Sequence, residues 1–165
     1  MESKDGGSGE RRISSVRDEM EMSKEERDDF LRDHGAGVLS LAHGSESYAF
    51  PVSYGYDPSD ELLCVMLGYA PESEKRGWLR ETENATFVVH EMYDGLEAAS
   101  VVLRGALVEV GEDEAAACYD AMSDNAAFTA LHESGALLEN TEYVVYRLDT
   151  DTSVGRRFEH DIEGF

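Results

Sequence analysis

The order of short strand-like and helical segments is the feature that most limits how this chain can fold. Six runs of strand-forming residues are separated by turn signals, and they lie at residues 37–42, 46–57, 61–68, 85–93, 99–110 and 142–154. One helical segment follows the third run, and a longer Ala-rich segment, predicted to be a helical pair, follows the fifth. This arrangement predicts a mainly β fold, a small six-stranded barrel with flanking helices.

Local signals predict the ends of several elements. Ser23 and Glu26 have the spacing of a capping box, which predicts a helix that begins there, and Gly35 is expected to end it. The turn pair Asp94-Gly95 predicts a hairpin between the fourth and fifth strands. Gly105 interrupts the fifth strand and predicts a β-bulge or a barrel corner.

The 165 residues have the length of one domain. Residues 1–22 are polar and without periodicity, so we predict a disordered leader there, a domain over 23–158 and a tail over 159–165. The longest apolar run, 62–67, is too short to span a bilayer, and the first 20 residues lack the apolar stretch of a signal peptide. Cys64 and Cys118 match no metal or redox spacing and are predicted to be buried, reduced thiols. We therefore predict a soluble, cytoplasmic protein.

The net charge of −22 indicates adaptation to high salt. The 36 acidic residues are spread through segments that also carry apolar periodicity, and only three of the 14 basic residues are lysines. High salt screens the self-repulsion that this charge would cause in dilute buffer. The same charge has the wrong sign for binding a nucleic-acid backbone, so a DNA or RNA partner is not expected.

The second strand has two unlike faces. Alternation places the small residues Ser47, Ala49, Pro51, Ser53 and Gly55 on one face, and Tyr48, Phe50, Val52, Tyr54 and Tyr56 on the other. The aromatic face is predicted to be core or interface. The small face has two interpretations: a surface along which a flat ligand lies close to the backbone, or a solvent-facing edge strand.

The segment "PESEKRGW" at 71–78 has the features of half a phosphate site. Pro71 and Ser73 suit the first turn of a helix, where backbone N–H groups and the helix dipole favour an anion. Lys75 adds a point charge and Arg76 a planar fork of donors. The alternative is an ordinary helix whose cations pair with neighbouring glutamates.

Several other chemistries lack their motifs in this sequence. Neither a Walker loop nor a GxSxG motif occurs, and "GAGVLS" opens a strand instead of following one, unlike a dinucleotide fingerprint. The five histidines show no metal-ligand spacing with the cysteines, so no metal site is predicted. His90 lies in a strand, where a rim or core position is more common than a catalytic one.

Four segments in this order resemble the pyridoxamine 5′-phosphate oxidase-like family of FMN-binding split barrels, in a small form of haloarchaeal type. They are "DFLRDHGAGVLSLA", "AFPVSYGY", "PESEK" and "SVVLRG", and the strand ending in "VGRR" extends the resemblance. The resemblance implies an antiparallel split β-barrel that forms a homodimer with FMN at its interface. It implies these cofactor-binding residues: Ala49, Phe50, Pro51, Val52, Ser53 and Tyr54 along the second strand, Gly68 and Tyr69 at the end of the third, Ser73, Lys75 and Arg76 for the phosphate, and Ser100 opening the fifth.

The sequence departs from the family pattern at two flavin positions. Glu74 stands where the oxidase proper has a basic residue before the lysine, so Arg76 would have to supply that charge, and Ala49 replaces a basic residue at the start of the flavin strand. The C-terminal basic motif for pyridoxal phosphate is also missing, so vitamin B6 oxidation is not expected.

The function that the resemblance implies is flavin-dependent oxidation or reduction of an unidentified small molecule. Ser53, Tyr54 and His90 are candidates for lining the substrate side, and no catalytic residue is assigned. The alternatives are a split barrel that binds the deazaflavin F420 or haem, a non-catalytic flavin carrier or sensor, and an interaction domain without a cofactor.

Overall fold

The computed structural model describes residues 20–70, 72–94, 97–124 and 142–159. Within them the chain forms three helices and six strands. The helices are α1 (Lys24–Asp33), α2 (Lys75–Glu81) and α3 (Glu112–Ser123). The strands are β1 (Ala36–His43), β2 (Glu46–Asp57), β3 (Leu62–Tyr69), β4 (Ala85–Met92), β5 (Ala98–Glu109) and β6 (Glu142–Phe158).

The six strands form a closed antiparallel barrel in the order β1-β2-β3-β6-β5-β4, which confirms the predicted mainly β barrel with flanking helices. The sixth strand continues to Phe158, beyond its predicted end at 154. The first helix of the predicted pair is α3, and the second piece lies outside the described residues. Residues 1–19 of the predicted leader also lie outside the described residues. Met22, the last residue of that leader, is buried, and its N–H donates a hydrogen bond to the Gly155 carbonyl on β6.

The inward-facing residues of the strands form the main core. Its largest fully buried side chains on the strands are Leu39, Leu41, Tyr54, Leu63, Val65, Leu67, Tyr69, Phe87, Val89 and Val101. In β2, where alternation predicted an aromatic face and a small face, Tyr54 of the aromatic face is among these buried residues. Among the described residues, no helix is long and apolar enough to cross a membrane.

Gly105 lies at the predicted irregularity of β5. The pairing of β5 with β6 shifts register between Arg104 and Gly105. A Cβ atom at Gly105 would lie 1.8 Å from the backbone oxygen of Asp149, so only glycine allows this approach of the two strands.

Helix α1 begins at the predicted capping box. The Ser23 hydroxyl accepts a hydrogen bond from the Glu26 N–H at 3.2 Å, and the Glu26 carboxylate accepts one from the Ser23 N–H at 2.7 Å. The hydrogen bond from the Ser23 backbone N–H, followed by an interaction with the Ser23 side chain, lowers the pKa of the Glu26 carboxyl group. At its other end, α1 stops at Asp33, two residues before Gly35. The last turn of the helix is held to β2 by the Tyr54 hydroxyl, which donates a hydrogen bond to the Leu31 carbonyl at 2.7 Å.

Helix α3 packs on the outside of the barrel and forms a second, smaller core. Cys64, Cys118, Met122 and Val145 are its buried members. Cys64 on β3 and Cys118 on α3 are joined by a disulfide, so the prediction of reduced thiols was wrong, although both residues are buried as expected. The two cysteines are 54 residues apart in sequence, and only the packing of α3 against β3 reveals that they meet.

Candidate functional site

The two faces of β2 have different surroundings, as the sequence predicted. Ala49 and Pro51 are exposed on the outer face, with Ser53 partly exposed beside them. Phe50, Val52 and Tyr54 point the other way and pack in or against the main core. Side chains on the outer face are therefore small, and a flat ligand could lie close to the backbone there.

Tyr54 is available to a ligand on this outer face only through its backbone. Its ring is fully buried, and it packs edge-on against Phe87 with 5.2 Å between ring centroids. Burial raises the pKa of the Tyr54 hydroxyl, which donates to the Leu31 carbonyl. The side chain is thus committed to the core and to the end of α1, and it cannot line a substrate pocket on the outer face.

Within the closed barrel, the first part of β2 and the second part of β3 are not hydrogen-bonded to each other. Hydrogen-bonded pairing between these strands covers only Tyr54–Asp57 and Leu62–Val65. Residues 46–53 pair with β1, and residues 66–69 pair with β6, so the two strands separate beyond this short ladder. Pro51 lies in the separated part of β2, where a residue without an N–H group is tolerated. We call this gap the β2–β3 opening.

Most of the predicted cofactor residues border the β2–β3 opening. The β2 residues 49–53 lie on one side, and Gly68 and Tyr69 end β3 on the other. The segment that carries Ser73, Lys75 and Arg76 leaves β3 directly after Tyr69 and leads into α2. Residues from three separate stretches of sequence are thus placed around one feature of the barrel.

Helix α2 packs over aromatic residues at the start of β2. The Trp78 ring stacks on Tyr48 with 5.9 Å between centroids and 13° between planes. The Lys75 ammonium nitrogen lies 4.7 Å from the centroid of the Phe50 ring, in cation–π contact. The contact of Trp78 with Tyr48 holds α2, and Lys75 with it, next to β2.

The helix begins later than its sequence predicts. Its first residue is Lys75, Glu74 is the N-cap residue, and no side chain caps it. Ser73 instead lies in the preceding turn, where its N–H donates to Ala70 O and its carbonyl accepts from the Arg76 N–H. With a helix of seven residues, an anion here would depend on side chains more than on the helix dipole.

Arg76 points away from Lys75. Its guanidinium lies 4.9 Å from the centroid of the Tyr69 ring and forms an ion pair with Glu142 at the start of β6. Tyr69 in turn donates its hydroxyl hydrogen to Tyr146 at 2.9 Å, and burial together with this bond raises its pKa. Arg76 is therefore engaged by β3 and β6, and Lys75 is the cation of the pair that faces β2.

Ser100 lies on the opposite side of the barrel from β2. In the strand order, β5 is three strands from β2 in either direction. Ser100 pairs with His90 on β4 and with Arg156 on β6, and these three side chains share the outer face. One chain therefore does not bring Ser100 or His90 to the β2–β3 opening.

Among the described residues, no group of histidine, cysteine or acidic side chains has the geometry of a metal site. Two clefts among the described residues, of about 700 and 540 Å³, lie along α3 and include none of the predicted cofactor residues. Asp and Glu residues line much of both clefts, which is unfavourable for an anionic phosphate. The residue chemistry thus favours the β2–β3 opening as the cofactor site, despite the size of these clefts.

The family model for pyridoxamine 5′-phosphate oxidase matches residues 23–157, and the chain belongs to this family. No curated protein matches the chain.

Solved structures with the same fold include three proteins described by their ligands. The FAD-binding protein from Mesorhizobium loti is 23% identical with a TM-score of 0.64, over 84% of this chain and 97% of that one. The FAD-binding protein from Mycobacterium smegmatis is 17% identical with a TM-score of 0.62, over 86% of this chain and 99% of that one. The FAD- and haem-binding protein from the same organism is 18% identical with a TM-score of 0.62, over 84% of this chain and 72% of that one. These likenesses confirm the predicted split-barrel fold.

Proposed function

We propose that this protein binds FMN at the β2–β3 opening and acts as a flavin-dependent oxidoreductase on a small molecule. The observation that carries the proposal is the position of Lys75 against Phe50 of β2, beside the β2–β3 opening, in a chain of the pyridoxamine 5′-phosphate oxidase family. Lys75 contacts the face of β2 opposite to Ala49, Pro51 and Ser53, so a ligand that met both would cross the unpaired edge of β2 at the opening. Lys75 would bind the phosphate group, and Ala49, Pro51 and Ser53 would allow the flavin ring to approach the backbone.

FMN is proposed ahead of haem because the Lys75 ammonium suits a phosphate group and the described histidines of one chain supply no axial ligand at the opening. In the described residues, His34 contacts the Phe30 carbonyl, His43 lies near Glu81, and His90 is on the far face of the barrel. None of the three borders the β2–β3 opening of its own chain, but the homodimer proposed below would bring His90 to the opening of the partner, so haem stays an alternative. F420 stays an alternative because it also presents a phosphate and a flat ring, and FAD because three related folds are described as binding it.

A second copy of the chain would complete the site in this proposal. The outer face of β4, β5 and β6 carries a row formed by Met92, Ala98 and Phe158 in register, next to the row of His90, Ser100 and Arg156. Met92 is 71% exposed and Phe158 40%, which is unusual for apolar side chains of this size on a monomer surface. We therefore propose a homodimer in which this face brings Ser100, and His90 with it, to the opening of the partner.

The flavin, when bound, would supply the hydride and electron transfer. The residues of this chain would bind and orient it, and no general acid or base is assigned. Protein loaded with FMN is expected to lose its visible flavin absorption when NADH or NADPH is added without oxygen, and to regain it when a quinone or nitro compound is added. A flavin that stays oxidised with both nicotinamides would contradict the oxidoreductase proposal and favour the carrier or sensor.

We also propose that the acidity is an adaptation to high salt, as the sequence predicts. With a net charge of −22, self-repulsion should destabilise the folded state in dilute buffer and be screened as salt is added. The midpoint of thermal unfolding is expected to rise steeply from low KCl to molar KCl. A midpoint that is the same at both concentrations would contradict this account. The predicted cytoplasmic location stays a prediction, and the disulfide is more typical of oxidising compartments.

A further inference from the structure

The two adjacent cations of α2 have different electrostatic surroundings. Lys75 contacts the Phe50 ring, and no carboxylate of the described residues is within ion-pair distance of it. Arg76 is paired with Glu142, across 66 positions of sequence. The proposed phosphate site therefore has one cation that is free to meet an anion and one that a carboxylate already neutralises.

The pairing of Arg76 is incomplete. Its Nε atom is buried and has no hydrogen-bond partner, although the side chain as a whole is 41% exposed. Glu142 is 64% exposed, so the ion pair is open to water and contributes little to stability. The guanidinium points away from Lys75 in this arrangement, but it is one residue away in sequence and could turn toward a phosphate beside Lys75 if its carboxylate partner were removed.

Glu142 also changes the charge balance of the site. Glu72 and Glu74 precede Lys75 in the sequence, and the charge of Glu109 acts on Tyr69 beside Arg76, so Glu142 is one of several carboxylates near the two cations. Neutralising Glu142 would reduce this excess of negative charge and release Arg76 in one step. Both effects increase the attraction for an anion.

We propose that Glu142 limits the affinity of this site for the phosphate group of its cofactor by holding Arg76 in an ion pair. Glu142 is thus an affinity-determining residue that acts through Arg76. This inference rests on the proposed function, because it assumes that the phosphate lies near Lys75. It predicts that removing a carboxylate improves ligand binding.

The test compares FMN and riboflavin binding by the full chain, measured through the quenching of flavin fluorescence in low and high KCl. Glu142→Gln is expected to bind FMN about three- to tenfold more tightly than wild type at low salt, with a smaller gain at high salt. Riboflavin lacks the phosphate, so its affinity should not change. The double variant Glu142→Gln with Arg76→Ala should lose the gain, because the gain requires the released guanidinium.

A matched control removes the same charge elsewhere. Asp60 is exposed in the β2–β3 turn, at the end of β2 away from α2, and Asp60→Asn should leave FMN affinity unchanged. Equal FMN affinity of wild type and Glu142→Gln would overturn this inference alone, as would an equal change in FMN and riboflavin affinity. If wild type and variant both fail to bind any flavin, the proposed function is overturned and this inference with it.

Discussion

Replacing Lys75 with alanine is expected to weaken FMN binding by about 10- to 100-fold while leaving riboflavin affinity within about twofold of wild type. Lys75 is the cation of α2 that faces β2, and a hydrogen bond from an ammonium to a phosphate is stronger than one between neutral groups. The substitution removes a cation–π contact with Phe50 but no ion pair of the described residues, so the fold should persist.

Arg80 provides the matched control for Lys75. It lies on the same helix, is exposed, and forms no ion pair among the described residues, so Arg80→Ala removes one positive charge without touching β2. We expect its FMN affinity to stay within about threefold of wild type. If Lys75→Ala weakened FMN and riboflavin equally, Lys75 would be a packing residue for α2. If neither affinity changed, the phosphate would have to lie elsewhere.

Replacing Gly55 with alanine is expected to destabilise the protein by about 2–3 kcal/mol. A Cβ atom at Gly55 would lie 2.3 Å from the Met122 nitrogen and 2.4 Å from the Ala121 carbonyl carbon. These are backbone atoms of α3, and the disulfide between Cys64 and Cys118 ties this helix to the strand beside Gly55. The helix therefore cannot move aside without disturbing the second core.

The control for this prediction is Gly77→Ala. No atom lies within 4 Å of a Cβ built at Gly77, which is in the interior of α2, so alanine should raise stability by up to about 1 kcal/mol through helix propensity. Free energies of unfolding of both variants and wild type, from denaturant titrations at one fixed KCl concentration, make the comparison. A Gly55→Ala protein as stable as wild type would show that α3 does not pack on β2 as described.

Features written in local sequence were predictable. The capping box of Ser23 and Glu26, the bulge at Gly105 and the two faces of β2 each depend on residues close together in the chain, and each was confirmed. The order of strands and helices was enough to predict the barrel. It also led to the family through the resemblance of "PESEK" and its neighbours.

Contacts between distant segments were not predictable. Nothing near Arg76 indicates that Glu142 is its partner, and nothing near Cys64 indicates Cys118. The sequence likewise placed Ser100 with the β2 residues only through the family resemblance, whereas the closed barrel places β5 on the far side. In each case, whether two residues meet depends on how elements far apart in sequence pack together, and local residue patterns do not predict that packing.

The most direct test of the account is the visible spectrum of the protein purified in high salt, with the released cofactor identified by mass. The account predicts a flavin spectrum and the mass of FMN, bound in the wild type and depleted in Lys75→Ala. A spectrum of haem with the mass of haem would contradict it. A colourless protein that takes up no FMN on reconstitution would contradict it as well, and would leave Lys75 as a cation on the surface of an acidic barrel.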